Sequence, residues 1–108
     1  MTELNPTIYV VDDDPSVRDS TELLLKSVGF NVKTFGSAQA FFKANLQEDL
    51  GCLVLDVRMP GMSGMELHRH LVEQHSTMPV IFVTGHGDVP MAVEAMHNGA
   101  FDFIQKPY

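Results

Sequence analysis

The stretch that decides the fold is Cys52-Leu53-Val54-Leu55-Asp56-Val57-Arg58-Met59-Pro60-Gly61-Met62-Ser63-Gly64. A short apolar run bounded by turn-forming residues reads as a strand buried on both faces, and Asp56 then stands where that strand emerges from the sheet. An aspartate at such a place ordinarily caps a turn or the next helix. Asp56 becomes a candidate reactive residue because other apolar strands of the chain also end in polar residues.

Toward the N-terminus, Ile8-Tyr9-Val10-Val11 is apolar, rich in β-branched residues, and runs directly into Asp12-Asp13-Asp14-Pro15. Pro15 suits a first helical turn, Val17, Thr21, Leu24 and Val28 recur at helical spacing, and Gly29 supplies a stop. Asn31 to Phe35 predicts a second strand, and Ser37 caps a helix carrying Ala38, Phe41 and Phe42.

Toward the C-terminus, Gly61 to Gly64 predicts a tight loop and Glu66 to Gln74 a helix with Leu67 and Leu71 facing inward. Val80-Ile81-Phe82-Val83 reads as another fully buried strand, ending in Thr84 and followed by Gly85-His86-Gly87. Asp88 and Pro90 open a helix that Gly99 ends, and Phe101 to Gln105 is a fifth strand meeting Lys106-Pro107. Strands alternating with helices require right-handed crossovers and a parallel sheet covered on both faces, the doubly wound α/β class.

In such sheets the ligand crevice lies beyond the carboxyl ends of the strands, where strand order reverses. Asp12, Asp13, Asp14, Asp56, Thr84 and Lys106 all fall at strand carboxyl ends. Carboxylates gathered there repel one another, and a hard divalent cation with oxygen ligands relieves the repulsion, with Mg²⁺ the natural guest. A carboxylate nucleophile, a metal, an amine and a hydroxyl are the parts phosphoryl transfer needs, and the product would be an aspartyl phosphate.

Composition narrows the partners. A formal net charge of -7 over 108 residues argues against a nucleic-acid surface, which needs clustered Lys and Arg. No apolar run approaches the roughly 20 residues of a membrane span, and the N-terminus carries no basic-then-apolar leader, so a cytoplasmic location is expected. Cys52, the single cysteine, is expected to be a small buried hydrophobe. His68, His70, His75 and His97 are expected on solvated helix surface, while His86 sits in the loop beside the site as a candidate influence on dephosphorylation. Met91, Ala92, Val93, Ala95 and Met96 cover too much of one helix for a single buried stripe, which leaves two readings open, a partly exposed apolar surface or ordinary core packing.

The residues Val11-Asp12-Asp13-Asp14, Leu55-Asp56-Val57-Arg58-Met59-Pro60, Thr84-Gly85 and Phe103-Ile104-Gln105-Lys106-Pro107 resemble, at matching intervals, the receiver domains of two-component response regulators. The resemblance covers residues 1–108 as one domain, and Thr84 to Met96 looks more narrowly like the FixJ-type branch, whose members join a receiver to a LuxR-type helix-turn-helix DNA-binding domain. It implies a flavodoxin-like sheet of strand order 2-1-3-4-5 and a fifth helix beyond Tyr108, without which one sheet face would be short of cover. It implies further that Asp56 accepts phosphate from a sensor histidine kinase and that Asp12 and Asp13 hold Mg²⁺ with Asp56 and the backbone carbonyl of Arg58, Asp14 being a less certain third aspartate. Thr84 and Lys106 would bind the phosphoryl oxygens, and Thr84 with Phe103 would form a switch. That switch would act on the fourth helix and fifth strand, a possible homodimer face, and DNA would be met only through an output domain.

Two other enzyme or cofactor readings meet specific obstacles. A haloacid-dehalogenase-like phosphatase would place a second aspartate two residues after the first, where Arg58 stands. A flavodoxin-type flavin module would need a phosphate-donating loop after strand one, where Asp12-Asp13-Asp14 would repel phosphate. A receiver fold used only as an unphosphorylated interaction module is the remaining alternative.

Overall fold

Strand β1 (Thr7–Val11) sits inside a five-stranded sheet, flanked by β2 (Asn31–Phe35) on one side and β3 (Gly51–Asp56) on the other. Strands β4 (Val80–Thr84) and β5 (Asp102–Gln105) continue the sheet beyond β3, giving the order β2-β1-β3-β4-β5 with every pair parallel. The computed structural model describes residues 7–44, 51–59, 61–84 and 89–105. Helices α1 (Pro15–Ser27), α2 (Ala38–Lys43), α3 (Gly64–Glu73) and α4 (Val89–His97) connect successive strands. The expected doubly wound, flavodoxin-like topology is therefore the observed one.

The three inner strands, β1, β3 and β4, hold the sheet together because their side chains are apolar on both faces. Tyr9, Val11, Leu53, Leu55 and Phe82 are buried almost completely and join Val57, Leu67 and Ala95 in one core. At about 25 cal/mol per Å² of apolar surface, such burial is the main favourable term in forming the sheet. On one side, Phe41 from α2 stands edge-on to Tyr9 and Phe35, with ring centroids 5.9 and 5.3 Å away, so α2 is fastened to β1 and β2 by aromatic packing.

Local signals set the helix ends. Asp14 caps α1 by accepting from the Ser16 amide, with Pro15 at the first helical position. Past its end, the Phe30 amide donates to the Leu25 carbonyl and Gly29 takes φ +99°, a conformation glycine adopts without cost. Ser37 caps α2, and Ser63 forms a reciprocal capping box with Glu66 on α3. That box starts α3 at Gly64, two residues before the expected Glu66, because Gly64 and Met65 belong to its first turn.

Burial departs from the sequence expectation in several places. On α1, Thr21 is buried and Val17 half-buried, but Leu24 and Val28 are exposed, because the helix meets the sheet along the line of Thr21. Cys52 is half-buried rather than buried, and burial pushes its thiol pKa up. His68, expected on solvated surface, is only 4% exposed and stands edge-on to Phe82 at 5.4 Å. It lies one residue from Leu67 on the inward side of α3, where a neighbouring strand supplies an aromatic wall. On α4, Ala95 is buried while Val93 and Met96 are exposed, so part of its apolar surface does face outward. Strand β5 starts at Asp102, and Phe101 is held to the sheet by its amide bond to the Val80 carbonyl.

Candidate functional site

The parallel register carries the site. Val11 pairs with Leu55, so Asp12 and Asp56 are the next residues along adjacent strands. Each leaves the apolar sheet at its carboxyl edge, and Asp13 follows Asp12 in the turn to α1. Carboxylate oxygens of Asp12, Asp13 and Asp56 all lie within 4.8 Å of one another. Asp12 and Asp56 are buried and Asp13 is exposed, so the group opens to solvent on one side.

Hydrogen bonds orient these carboxylates. The Asp12 amide donates to the Phe35 carbonyl at 3.1 Å, which ties it to the end of β2. Its Oδ1 accepts from the Asp14 amide at 3.0 Å. Asp56 Oδ1 accepts a long bond from the Arg58 amide at 3.4 Å. Asp14, the third aspartate of the run, spends its own carboxylate on capping α1 and is not a member of the three-residue cluster. An all-carboxylate group this tight is electrostatically costly by itself, and it offers the hard oxygen donors that a small divalent cation requires.

Thr84 ends β4 one residue beyond Val83, which pairs with Asp56. It is fully buried, and its Oγ1 has no hydrogen-bond partner among the described residues. Buried hydroxyls are nearly always paired, so an orphan at the reactive edge of the sheet is a donor in want of an acceptor. Phe103 is half-buried on β5, pairs in register with Phe82 and packs against the core. Arg58 has an exposed side chain. Lys106, His86 and Pro60 lie outside the described residues.

Sequence reasoning missed two neighbours of the site. A Cβ built on Gly64 would run into the Asp56 carbonyl oxygen, so only glycine lets α3 start this close to the end of β3. The glycine after a capping serine was the available signal. Arg18 donates from Nη1 to the Asp12 carbonyl at 2.8 Å. An arginine in the first turns of a helix carries no signal of that kind.

Comparison with known proteins agrees with this geometry. Residues 8–108 match the response regulator receiver domain. The chain is 54% identical over 101 residues to the transcriptional regulatory protein FixJ of Bradyrhizobium diazoefficiens, a match that takes in 94% of this chain and 49% of that protein. It is 48% identical over 108 residues to the response regulator protein TmoT of Ectopseudomonas mendocina, covering 100% of this chain and 49% of TmoT. The crystal structure of full-length FixJ from B. japonicum superposes with a TM-score of 0.90 at 51% identity, over 98% of this chain and 52% of that one. The chain thus spans about half the length of the curated relatives it matches. Fold order, acidic cluster and relatives agree: this chain belongs to the response regulator receiver domain family, with FixJ-type transcriptional regulators among its close homologues.

Proposed function

We propose that this domain accepts a phosphoryl group on Asp56 from a phosphohistidine of a sensor kinase and passes the event to a transcriptional output domain. The observation that carries the reading is the convergence of Asp12, Asp13 and Asp56 at the sheet edge where the buried Thr84 hydroxyl has no partner among the described residues. In the transfer, an Asp56 carboxylate oxygen attacks phosphorus while the bond from phosphorus to the imidazole nitrogen breaks, and the electron pair leaves with the imidazole. The arriving group brings negative charge, spread over its equatorial oxygens, into a site already lined by carboxylates, so those oxygens need donors. Thr84 Oγ1 is one, and Lys106 is assigned as the other by the family pattern.

Mg²⁺ would be held by Asp12, Asp13, Asp56 and the Arg58 carbonyl, and its charge would offset the repulsion between carboxylate and phosphate. Once Asp56 is phosphorylated, the Thr84 hydroxyl is drawn toward the phosphoryl oxygens and Phe103 follows into the space it leaves. The readout is α4 and β5, where Val93, Met96 and Ile104 are exposed and form a candidate homodimer face. Moving such a switch from 1:99 to 99:1 takes about 5.5 kcal/mol of differential stabilisation, within reach of a few charge-assisted contacts. DNA contact is assigned to a separate output domain, in keeping with the chain's net charge of -7. No helix among the described residues is long and apolar enough to cross a membrane, and a cytoplasmic site of action is the one this signalling role requires.

Incubation with acetyl phosphate and Mg²⁺ followed by intact-mass measurement tests the reading. One added phosphoryl group is expected on the wild-type chain and none on Asp56→Asn, whose amide keeps the shape but lacks the nucleophilic oxygen. An unmodified wild-type mass, or equal incorporation in the variant, would overturn it.

A further inference from the structure

Arg18 brackets the loop that carries the acidic cluster. Its backbone amide donates to the Asp14 carbonyl at 2.9 Å, the first helical bond of α1, while its guanidinium reaches back to the Asp12 carbonyl at 2.8 Å. The single residue therefore grips the segment Asp12 to Asp14 at both ends. On the other side of the same residue, the Asp12 amide is fixed to the Phe35 carbonyl, so the backbone of Asp12 is held on its amide side by β2 and on its carbonyl side by Arg18.

The next residue after Phe35 completes the seat. Arg18 Nη1 would lie only 3.2 Å from a Cβ at Gly36, so the absence of a side chain there leaves room for the guanidinium between α1 and the end of β2. A charged donor clamped on a carbonyl in a partly buried setting makes one of the stronger classes of hydrogen bond. The need for a clamp is plain from the cluster itself. Three carboxylates within 4.8 Å push one another apart, and the loop bearing two of them would relax away from Asp56 unless its backbone were held.

We infer that Arg18 is a positioning residue for the cation site: by clamping the Asp12 carbonyl it holds Asp12 and Asp13 against Asp56 before any ion arrives. This rests on the phosphoacceptor reading and adds to it a requirement outside the ligand set. Groups that orient metal ligands from behind typically change metal affinity by roughly 10-fold to 100-fold when removed. The lower end is expected here, because Asp12 keeps its bonds to Phe35 and Asp14.

The test is calorimetric Mg²⁺ titration of the wild-type chain, Arg18→Ala and Arg18→Lys, with thermal unfolding of each in chelator and in saturating Mg²⁺. Arg18→Ala should bind Mg²⁺ about tenfold more weakly, Arg18→Lys should recover part of that loss, and saturating Mg²⁺ should restore phosphorylation by acetyl phosphate. A purely structural role would lower the melting temperature equally with and without Mg²⁺ and leave the affinity unmoved, which overturns the inference. Equal affinity of all three proteins overturns it as well, while leaving the phosphoacceptor reading standing. Failure of the wild-type chain to bind Mg²⁺ at all would remove both.

Discussion

Gly64 packs its backbone against the carbonyl oxygen of Asp56, with no room for a Cβ between them. The first turn of α3 and the end of β3 are therefore fixed against each other by backbone contact, with Gly64 donating its amide to the Val57 carbonyl at 3.1 Å. Gly64→Ala should destabilise the fold by about 1 to 3 kcal/mol, the usual range for forcing a methyl into a filled space. Its phosphorylation rate should fall too, because relief of the clash displaces Asp56. Chemical denaturation and acetyl phosphate kinetics measure the two effects, and an unchanged unfolding midpoint would refute the first.

Thr84 offers a prediction of opposite sign. Replacing it with the isosteric Val removes a buried hydroxyl that has no partner among the described residues, so Thr84→Val should leave stability unchanged or raise it by about 1 kcal/mol. The same variant should gain less from beryllofluoride, a phosphoryl mimic, since the donor to its oxygens is gone. Melting temperatures with and without the mimic separate these outcomes.

His68 gives the domain a pH dependence. Burial lowers its pKa below the ordinary 6.5, so the unfolded chain takes up the proton first as the medium is acidified. Protons bound preferentially by the unfolded state destabilise the fold, so stability should be flat above about 6.5 and decline just below it. Around the ring the groove between α3 and α4 is lined by Met65, Val72, Met91 and Asn98 with the charged Arg69 and Glu94. Replacing His68 with Leu should flatten the decline in urea midpoints measured across that range.

The exposed apolar residues of α4 and β5 predict association on activation. Val93, Met96 and Ile104 are between 38% and 49% exposed, and beryllofluoride should shift the chain toward dimer in sedimentation runs. Identical mass distributions with and without the mimic would exclude phosphorylation-driven pairing through this face.

Strands β1, β3 and β4 were legible because they are short apolar runs that lead into or end in acidic or hydroxyl residues, whereas β2 was legible from the alternation of its side chains, and β2 and β4 fall where those patterns put them. Asp12, Asp13 and Asp56 could be brought together on paper because a parallel sheet aligns its carboxyl ends, and the register pairing Val11 with Leu55 does the same in space. His68 was misjudged because residue type favours the surface, whereas its position beside Leu67 and over Phe82 is a matter of tertiary packing. The apolar spacing of α1 likewise described a helix without telling which of its residues meets the sheet. Arg18 was invisible for a related reason: the bond to the Asp12 carbonyl closes a turn whose path emerges only once Asp14 and Pro15 have started the helix.

The parallel sheet also gives the molecule two unequal rims. Among the described residues, returns from a helix to a strand enter at the rim opposite the acidic group, as the segment from Gln74 to Pro79 does between α3 and β4. Changes of loop length there alter the path of the chain without touching the carboxylates, whereas a single residue inserted between Val11 and Asp12 would pull Asp12 out of step with Asp56. One rim is thus open to variation between relatives, and a natural place for grafting a reporter peptide. The other can tolerate almost none.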